Sequence, residues 1–197
     1  MAPGRFPTLG DVTSARLPTL VVVSGPAGAG KTTLAHALAA AIGCPVVSRD
    51  EIKEGMVHAS PGFAPAVGDE LTVRALPVFF GVLELLVRAG VTTVADAAFQ
   101  DTVWRPRLEP LRGLAEFRVV HCVVDADAAL ERIRRRRADD PLRRAHVDSA
   151  AGFDASYRLS HMAFDRVSIE APQIEVDTAD GYRPGLDEIV AFVNRRG

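Results

Sequence analysis

Residues 20–35 read LVVVSGPAGAGKTTLA, and within them residues 25–32 match the pattern G-x-x-x-x-G-K-[ST]. The β-branched run before the pattern predicts a buried strand, and the alanine-rich segment after it predicts a helix. Glycines in such a turn let successive backbone N–H groups face an anion, and the helix N-terminus adds partial positive charge. The stretch therefore predicts a phosphate-binding loop formed by Gly25, Pro26, Ala27, Gly28, Ala29, Gly30, Lys31 and Thr32.

Two side chains of this loop have specific expected roles. Lys31 is expected to reach the β and γ phosphates of a nucleotide, and Thr32 to offer its hydroxyl to magnesium. The chain has 23 basic residues, of which only Lys31 and Lys53 are lysines. Because lysine is so rare here, its presence in the motif strengthens the prediction.

Around the loop, short β-branched runs alternate with helical patterns. This order predicts a parallel sheet covered on both faces, that is, a three-layer α/β/α fold with five strands. The predicted strands lie near residues 20–23, 46–47, 91–95, 117–124 and 173–176. The predicted helices cover residues 31–42, 49–56, 70–88, 102–115 and 186–194, with another that begins at Asp127, whose carboxylate is a candidate N-cap.

Length and composition predict one globular domain. The chain has 197 residues, of which 48% are hydrophobic and 24% charged. Residues 1–18 contain three prolines and two glycines without periodicity, so we expect a flexible tail followed by a domain over residues 19–197. A net charge of -2 disfavours nucleic acid and anionic membranes as partners. Two cysteines and the lack of a long apolar segment favour a cytoplasmic protein without a membrane span.

Phosphate-binding loops occur in switches, motors and kinases, and the sequence separates these classes. A GTPase would need an Asn-Lys-x-Asp guanine reader, yet the only asparagine is Asn194 in the last predicted helix. Motor ATPases usually carry an acidic pair after the third strand and have larger domains, whereas here the strand ends in the single acid Asp96. A kinase is therefore favoured.

Two aspartates follow predicted strands at the edge of the sheet where ligands bind. Asp50 either orients an acceptor hydroxyl and takes its proton, or caps the following helix. Asp96 either holds magnesium through water and faces the acceptor, or caps the turn after its strand. Position alone leaves the roles of Asp50 open and favours the functional reading of Asp96.

Arginines are concentrated in residues 131–137, which read ERIRRRR. Leu130 and Ile133 are expected to face inward, which places Arg132 and Arg136 together on one helix face. Such a segment over residues 132–149 is either a lid that stabilises charge on a transferring phosphoryl group or a solvated basic helix; the crowding of like charge favours the lid. Arg105 faces either the acceptor or solvent.

The chain resembles the P-loop phosphotransferases that include chloramphenicol phosphotransferase, gluconate kinase, zeta toxins and the kinase domain of polynucleotide kinase. The likeness is carried by VVVSGPAGAGKTTLA, by SRDEIKEGM, by VTTVADAAF, and by ERIRRRR with the later Ile174-Glu175-Val176-Asp177-Thr178. Only the first of these stretches is highly specific. Together they span about residues 19–194.

The resemblance implies a nucleoside-kinase-like fold with strand order 2-3-1-4-5 and a helical lid. It implies ATP as phosphoryl donor and magnesium as cofactor, with Asp50 as the base that orients the acceptor. It also implies that Arg132 and Arg136 clamp the nucleotide, with Arg136 acting in catalysis beside Lys31, and that Thr33 belongs to the nucleotide site. The loop after Val176 is expected to border the adenine.

The acceptor region, about residues 55–81, matches no member of that group closely enough to name a substrate. Phe63, Phe79 and Phe80 favour a partly apolar pocket. The sequence therefore predicts a kinase that phosphorylates a hydroxyl of a small molecule, such as a sugar, a nucleoside or an antibiotic-like metabolite.

Two alternatives stay open. A nucleoside monophosphate or polynucleotide 5'-hydroxyl kinase would need basic residues near the acceptor, for which Arg49, Arg74 and Arg105 are candidates. A non-catalytic module that binds ATP for regulation would share the same loop without transferring phosphate.

Overall fold

A computed structural model of the chain describes residues 16–64, 66, 68–139 and 153–195. Its centre is a parallel sheet whose five strands run in the spatial order β2-β3-β1-β4-β5, which confirms the predicted order. The strands are β1 (Thr19–Ser24), β2 (Val46–Ser48), β3 (Thr93–Asp96), β4 (Glu116–Val123) and β5 (Gln173–Asp177). The first 15 residues of the predicted tail and the later part of the predicted lid lie outside the described residues.

Helices cover both faces of this sheet, as predicted. Because side chains alternate along a strand, Val21 and Val23 of β1 pack with the helices Lys31–Ile42 and Leu186–Asn194 on one face. Leu20 and Val22 pack with the helices Glu70–Arg88 and Asp101–Leu108 on the other face. The helices within the described ranges are α1 (Lys31–Ile42), α2 (Arg49–His58), α3 (Glu70–Arg88), α4 (Asp101–Leu108), α5 (Ala126–Asp139), α6 (Phe153–Met162) and α7 (Leu186–Asn194).

Two helix boundaries and one whole helix depart most from the sequence prediction. The helix predicted over residues 102–115 ends at Leu108 and continues only as a 3-10 turn over Glu109–Leu111, since Pro110 has no N–H to extend the α-helix. The cap of α5 is Asp125 rather than Asp127, because the Asp125 carboxylate accepts the N–H of Asp127 at 2.8 Å. Helix α6 was not predicted.

The aromatic residues of α3 lie in the core. Phe79 is fully buried and contacts Phe80, Phe99 and Trp104, with ring centroids 5.4 to 6.0 Å apart. Phe80 is partly buried and packs against the same cluster. The expectation that Phe79 lines an acceptor pocket is therefore wrong: its ring contributes to the packing of α3 and α4 against the sheet.

The carboxyl ends of three strands converge at one edge of the sheet. Val23 of β1 pairs with Asp96 of β3, and Ser48 of β2 pairs with the same aspartate. The glycine-rich loop over residues 25–32, called the phosphate loop from here on, leaves β1 directly beside these residues. This register places the phosphate loop, the end of β2 and Asp96 at one site.

Candidate active site

The glycine-rich loop between β1 and α1 adopts a conformation that needs glycine at two close contacts. Gly25 and Gly28 have φ angles of 150° and 75°. A Cβ added at Gly25 would lie 2.4 Å from the carbonyl oxygen of Cys122, and one at Gly28 would lie 2.5 Å from that of Ala129. The loop is thus seated against the end of β4 and the first turns of α5.

Most amides of this loop are available to an anion. Within the part of the chain that the structure describes, the Ala29 N–H donates to Pro26 O at 3.2 Å, whereas the amides of Gly28 and Gly30 meet no protein acceptor. The Lys31 ammonium donates to Pro26 O at 2.8 Å, which holds it over the loop. This arrangement agrees with a phosphate-binding cup at the N-terminus of α1.

Asp96 at the end of β3 connects three elements of the site. Its Oδ2 accepts hydrogen bonds from Thr32 Oγ1 at 2.8 Å and from Ser48 Oγ at 2.9 Å. Burial raises the pKa of Asp96 above its usual range, while the Lys31 charge and the two hydroxyl donors oppose that rise. Ser48 holds the N-cap position of α2 without a side-chain cap bond, because its hydroxyl is directed to Asp96.

The other oxygen of this carboxylate is a candidate metal contact. Asp96 Oδ1 is buried and has no hydrogen-bond partner among the described residues. An unpaired buried carboxylate oxygen beside a threonine hydroxyl is the kind of oxygen donor set that Mg²⁺ takes together with water and phosphate oxygens. Thr32 and Asp96 therefore fit a magnesium ion, and neither carboxylate oxygen of Asp96 accepts an N–H from the turn after β3.

Asp50 lies in the first turn of α2, one residue after the helix begins. The structure does not place it as the helix cap, since Ser48 occupies that position. Its carboxylate is half-exposed, lines a cavity of about 300 Å³ together with Lys31 and Arg136, and accepts a hydrogen bond from Arg49 at 2.9 Å. Asp50 is thus brought into the same cavity as the phosphate loop.

Arg49 connects α2 to α3. Besides Asp50, its guanidinium donates to Thr72 O at 3.0 Å, and its side chain is mostly buried. Its Nε is buried without a partner among the described residues. Arg49 therefore holds Asp50 and the first turn of α3 in place through two of its nitrogens.

The segment between α2 and α3 is secured by a buried ion pair that sequence reasoning missed. Lys53 Nζ lies 2.9 Å from Asp69 Oδ2, and each side chain is only 5% exposed. Asp69 also caps α3 by accepting the Thr72 N–H at 2.7 Å. Burial opposes the charge on Asp69, but the Lys53 ammonium and the amides of Thr72 and Ala66 outweigh it and hold its pKa well below the usual range.

Two arginines of α5, Arg132 and Arg136, lie at neighbouring parts of the site. Leu130 and Ile133 face inward, as predicted. The Arg132 guanidinium donates to Ala179 O at 3.0 Å and to the Thr178 side chain at 3.2 Å, so it binds the loop after β5. Arg136 lines the 300 Å³ cavity and also a second cavity of about 490 Å³.

The two cavities adjoin at the phosphate loop. Both are lined by Gly30, Thr33 and Arg136. The larger one also has Tyr182 and Thr178 on its wall, which belong to the loop expected to border an adenine. Arg105 lines neither cavity: it lies on α4, half-exposed, and pairs with Asp101 at 3.3 Å.

A family model for the AAA domain matches residues 20–158, which is more than half of the chain. No curated protein sequence matches the chain. No helix within the described residues is both long and apolar enough to cross a membrane.

Solved structures share the fold over nearly the whole chain. A protein from Chloroflexus aurantiacus j-10-fl, described provisionally as a kinase, has a TM-score of 0.80 at 23% identity and covers 90% of this chain and 97% of its own. A sugar kinase from Janibacter sp. HTCC2649 has a TM-score of 0.59 at 19% identity, with 91% and 95% covered. A gluconokinase from Sinorhizobium meliloti 1021 has a TM-score of 0.54 at 21% identity, with 91% of each chain covered.

Proposed function

The chain belongs to the AAA domain family and has the fold of the P-loop kinases, and from this premise we propose that it is an ATP- and magnesium-dependent kinase acting on a hydroxyl of a small molecule. The observation that carries the proposal is one cavity lined by two sets of residues: the phosphate loop with Lys31 and Arg136, and Asp50 of α2. A phosphoryl group held by the first set would face an acceptor held by the second.

The donor fits the two adjoining cavities. The larger one has the volume for a base and ribose, and the smaller one contains the loop amides and Lys31. Gly30, Thr33 and Arg136, which line both, would lie beside the phosphates that join the two halves of the nucleotide. Arg132 supports this site by fixing the loop after β5.

In the proposed reaction, the acceptor oxygen forms a bond to the γ-phosphorus while the bond from that phosphorus to the bridging oxygen of ADP breaks. Asp50 accepts a hydrogen bond from the acceptor hydroxyl, orients it and takes its proton. Lys31 and Arg136 stabilise the negative charge on the transferring group and on the departing ADP. When bound at Thr32 and Asp96, Mg²⁺ would supply further neutralisation of phosphate charge.

The acceptor side of the cavity disfavours a phosphorylated acceptor. Asp50, Glu51 and Glu54 of α2 all line it. Arg49 and Lys53, the cations closest to Asp50 in the sequence, bind protein acceptors instead. We therefore favour an uncharged or cationic hydroxyl compound over a nucleotide or a polynucleotide end.

The decisive experiment incubates the protein with ATP labelled at the γ-phosphate and a fractionated metabolite pool. A labelled organic phosphate formed by the wild type and not by Asp50→Asn is expected. Labelled inorganic phosphate as the sole product would contradict the kinase proposal and favour a regulatory ATP-binding module.

A further inference from the structure

Four successive carbonyl groups of the phosphate loop accept hydrogen bonds from side chains, three of them from residues outside the loop. Pro26 O accepts from Lys31, and Ala27 O accepts from the Tyr157 hydroxyl of α6 at 2.6 Å. Gly28 O lies 3.5 Å from Arg132 Nη1 of α5, and Ala29 O accepts from Thr178 Oγ1 at 3.0 Å. The donors for residues 27–29 come from three different parts of the fold.

These contacts fix the direction of the loop amides. In a planar trans peptide the C=O of one residue and the N–H of the next point in opposite directions. When Tyr157 holds Ala27 O outward, the N–H of Gly28 is turned to the inside of the cup. The same reasoning connects Gly28 O to the amide of Ala29, and Ala29 O to that of Gly30.

Tyr157 is built to make this contact. It is only 5% exposed and packs with Leu130 and Ile133 of α5 and with Phe153, whose ring centroid is 5.8 Å away. Burial raises the pKa of Tyr157 to about 12, an increase that the charge of Arg136 partly offsets, so the hydroxyl keeps its proton for donation. The hydroxyl has one proton, which it donates to Ala27 O because a carbonyl oxygen can only accept; in the 2.9 Å contact of His161 Nδ1 with the same hydroxyl, the ring nitrogen is then the donor.

Of these three carbonyl groups, that of Ala27 is followed by the glycine that lies closest to other backbone atoms. Gly28 approaches the backbone of α5 too closely for any side chain, so the peptide between residues 27 and 28 has no side chain on its glycine to restrict its rotation. A hydrogen bond from a rigid, buried ring supplies that restriction instead.

We propose that Tyr157 is a positioning residue for nucleotide binding: its hydroxyl holds the peptide between Ala27 and Gly28 so that the Gly28 N–H faces the phosphates. This inference rests on the proposed function, because it assumes that the loop binds a nucleotide. It adds α6 to the residues that determine affinity, although α6 lies far from the motif in sequence.

The test compares the wild type with Tyr157→Phe, which keeps the ring and its packing and removes the hydroxyl. Isothermal titration calorimetry measures the affinity of each for Mg-ATP, Mg-tripolyphosphate and AMP. The two ligands that fill the cup are expected to bind about tenfold more weakly to the variant, equivalent to about 1.4 kcal/mol, with AMP affinity unchanged. A merely structural role would weaken all three alike.

Ser156→Ala is the matched control, because it removes an exposed hydroxyl of α6 whose hydrogen bond stays within that helix. Its affinities should equal those of the wild type. If Tyr157→Phe shows no cooperative thermal unfolding, the NMR signal of the Gly28 amide in the wild type carries the test. It should shift on addition of Mg-tripolyphosphate and stay unchanged with AMP, and no shift with Mg-tripolyphosphate would overturn the positioning role.

The outcomes separate the two hypotheses. A wild type that binds neither Mg-ATP nor Mg-tripolyphosphate would contradict the proposed function. A wild type that binds both, together with a folded Tyr157→Phe that binds them equally well, would overturn the positioning role and leave the kinase proposal standing.

Discussion

The phosphate loop and the segment that joins α2 to α3 are stabilised in different ways. The loop is eight consecutive residues whose glycines fit against β4 and α5. The α2–α3 segment depends on contacts between residues far apart in the chain, chiefly the buried pair of Lys53 and Asp69. The conformation of the phosphate loop follows from a local sequence pattern, whereas that of the α2–α3 segment follows from a tertiary interaction between two helices.

The largest expected effect is on the rate of phosphoryl transfer, and it distinguishes the role of Asp50 from that of the phosphate loop. Asp50→Asn should lower the rate of phosphoryl transfer by about 10² to 10⁴, because the amide cannot take the acceptor proton. The affinity for Mg-ATP should stay within about twofold, since the phosphate loop is untouched. Steady-state kinetics on the labelled acceptor and calorimetry with Mg-ATP measure the two quantities.

The control for that variant is Glu70→Gln, which neutralises an exposed carboxylate on the neighbouring helix α3. It should turn over like the wild type. Transfer at the wild-type rate by Asp50→Asn would remove Asp50 from the role of base.

Asp69→Asn tests the α2–α3 segment through the free energy of unfolding. Removing one partner of a buried ion pair leaves the Lys53 charge uncompensated, so the free energy of unfolding should fall by about 3 to 5 kcal/mol at pH 7. The pKa of Asp69 is lower in the folded chain than in the unfolded one. The stabilisation that the ionised Asp69 carboxylate contributes is therefore fully present above about pH 4 and is lost as the pH falls below that value.

Urea denaturation of both proteins at pH 7 and at pH 3 provides the measurement. The stability difference between wild type and Asp69→Asn should shrink at the lower pH. An equal difference at both pH values would show that the pair is not the source of the effect.

Lys31→Ala tests the phosphate loop. The rate of transfer should fall by about 10² to 10³, as for the loss of other charge-stabilising donors, without a change in the urea midpoint of the kind expected for Asp69→Asn. Arg88→Ala removes an exposed cation at the end of α3 and serves as the control. Unchanged turnover of Lys31→Ala would mean that the loop does not act on a transferring phosphate.

The smallest expected effect lies at the start of α5. Asp125→Ala removes the cap that binds the Asp127 amide and should destabilise the fold by about 1 kcal/mol. Asp127→Ala should cost less, because Asp127 is a first-turn residue paired with Arg158 at the surface. Thermal or urea unfolding of the two variants would reverse this order if Asp127 were the cap.

The sheet and the phosphate loop could be predicted because their signals are local. A β-branched run followed by the glycine pattern specifies both the strand and the turn, and short strands alternating with helices specify a parallel sheet. The inward positions of Leu130 and Ile133 follow from helical periodicity in the same way. Each of these inferences uses residues within one turn or one strand.

Contacts between distant segments could not be predicted. Lys53 and Asp69 are separated by a glycine- and proline-rich stretch without periodicity, so nothing in the sequence pairs them. The sequence predicts Phe79 in a pocket, and that prediction fails because an apolar residue on a helix gives the same pattern whether it faces a core or a ligand. Helix α6 has one signal that was available: Phe153, Tyr157 and His161 recur every four residues.

Asp69 also gives the stretch over residues 59–68 a fixed anchor, with a practical consequence for testing whether that stretch selects the acceptor. The stretch from residue 59 to residue 68 ends at this aspartate, which starts α3 and binds Lys53 at the same time. Loops of other lengths and compositions inserted before Asp69 should therefore leave the register of α3 intact. Libraries confined to that stretch would show whether it determines the acceptor, while the phosphate loop and Asp50 stay constant.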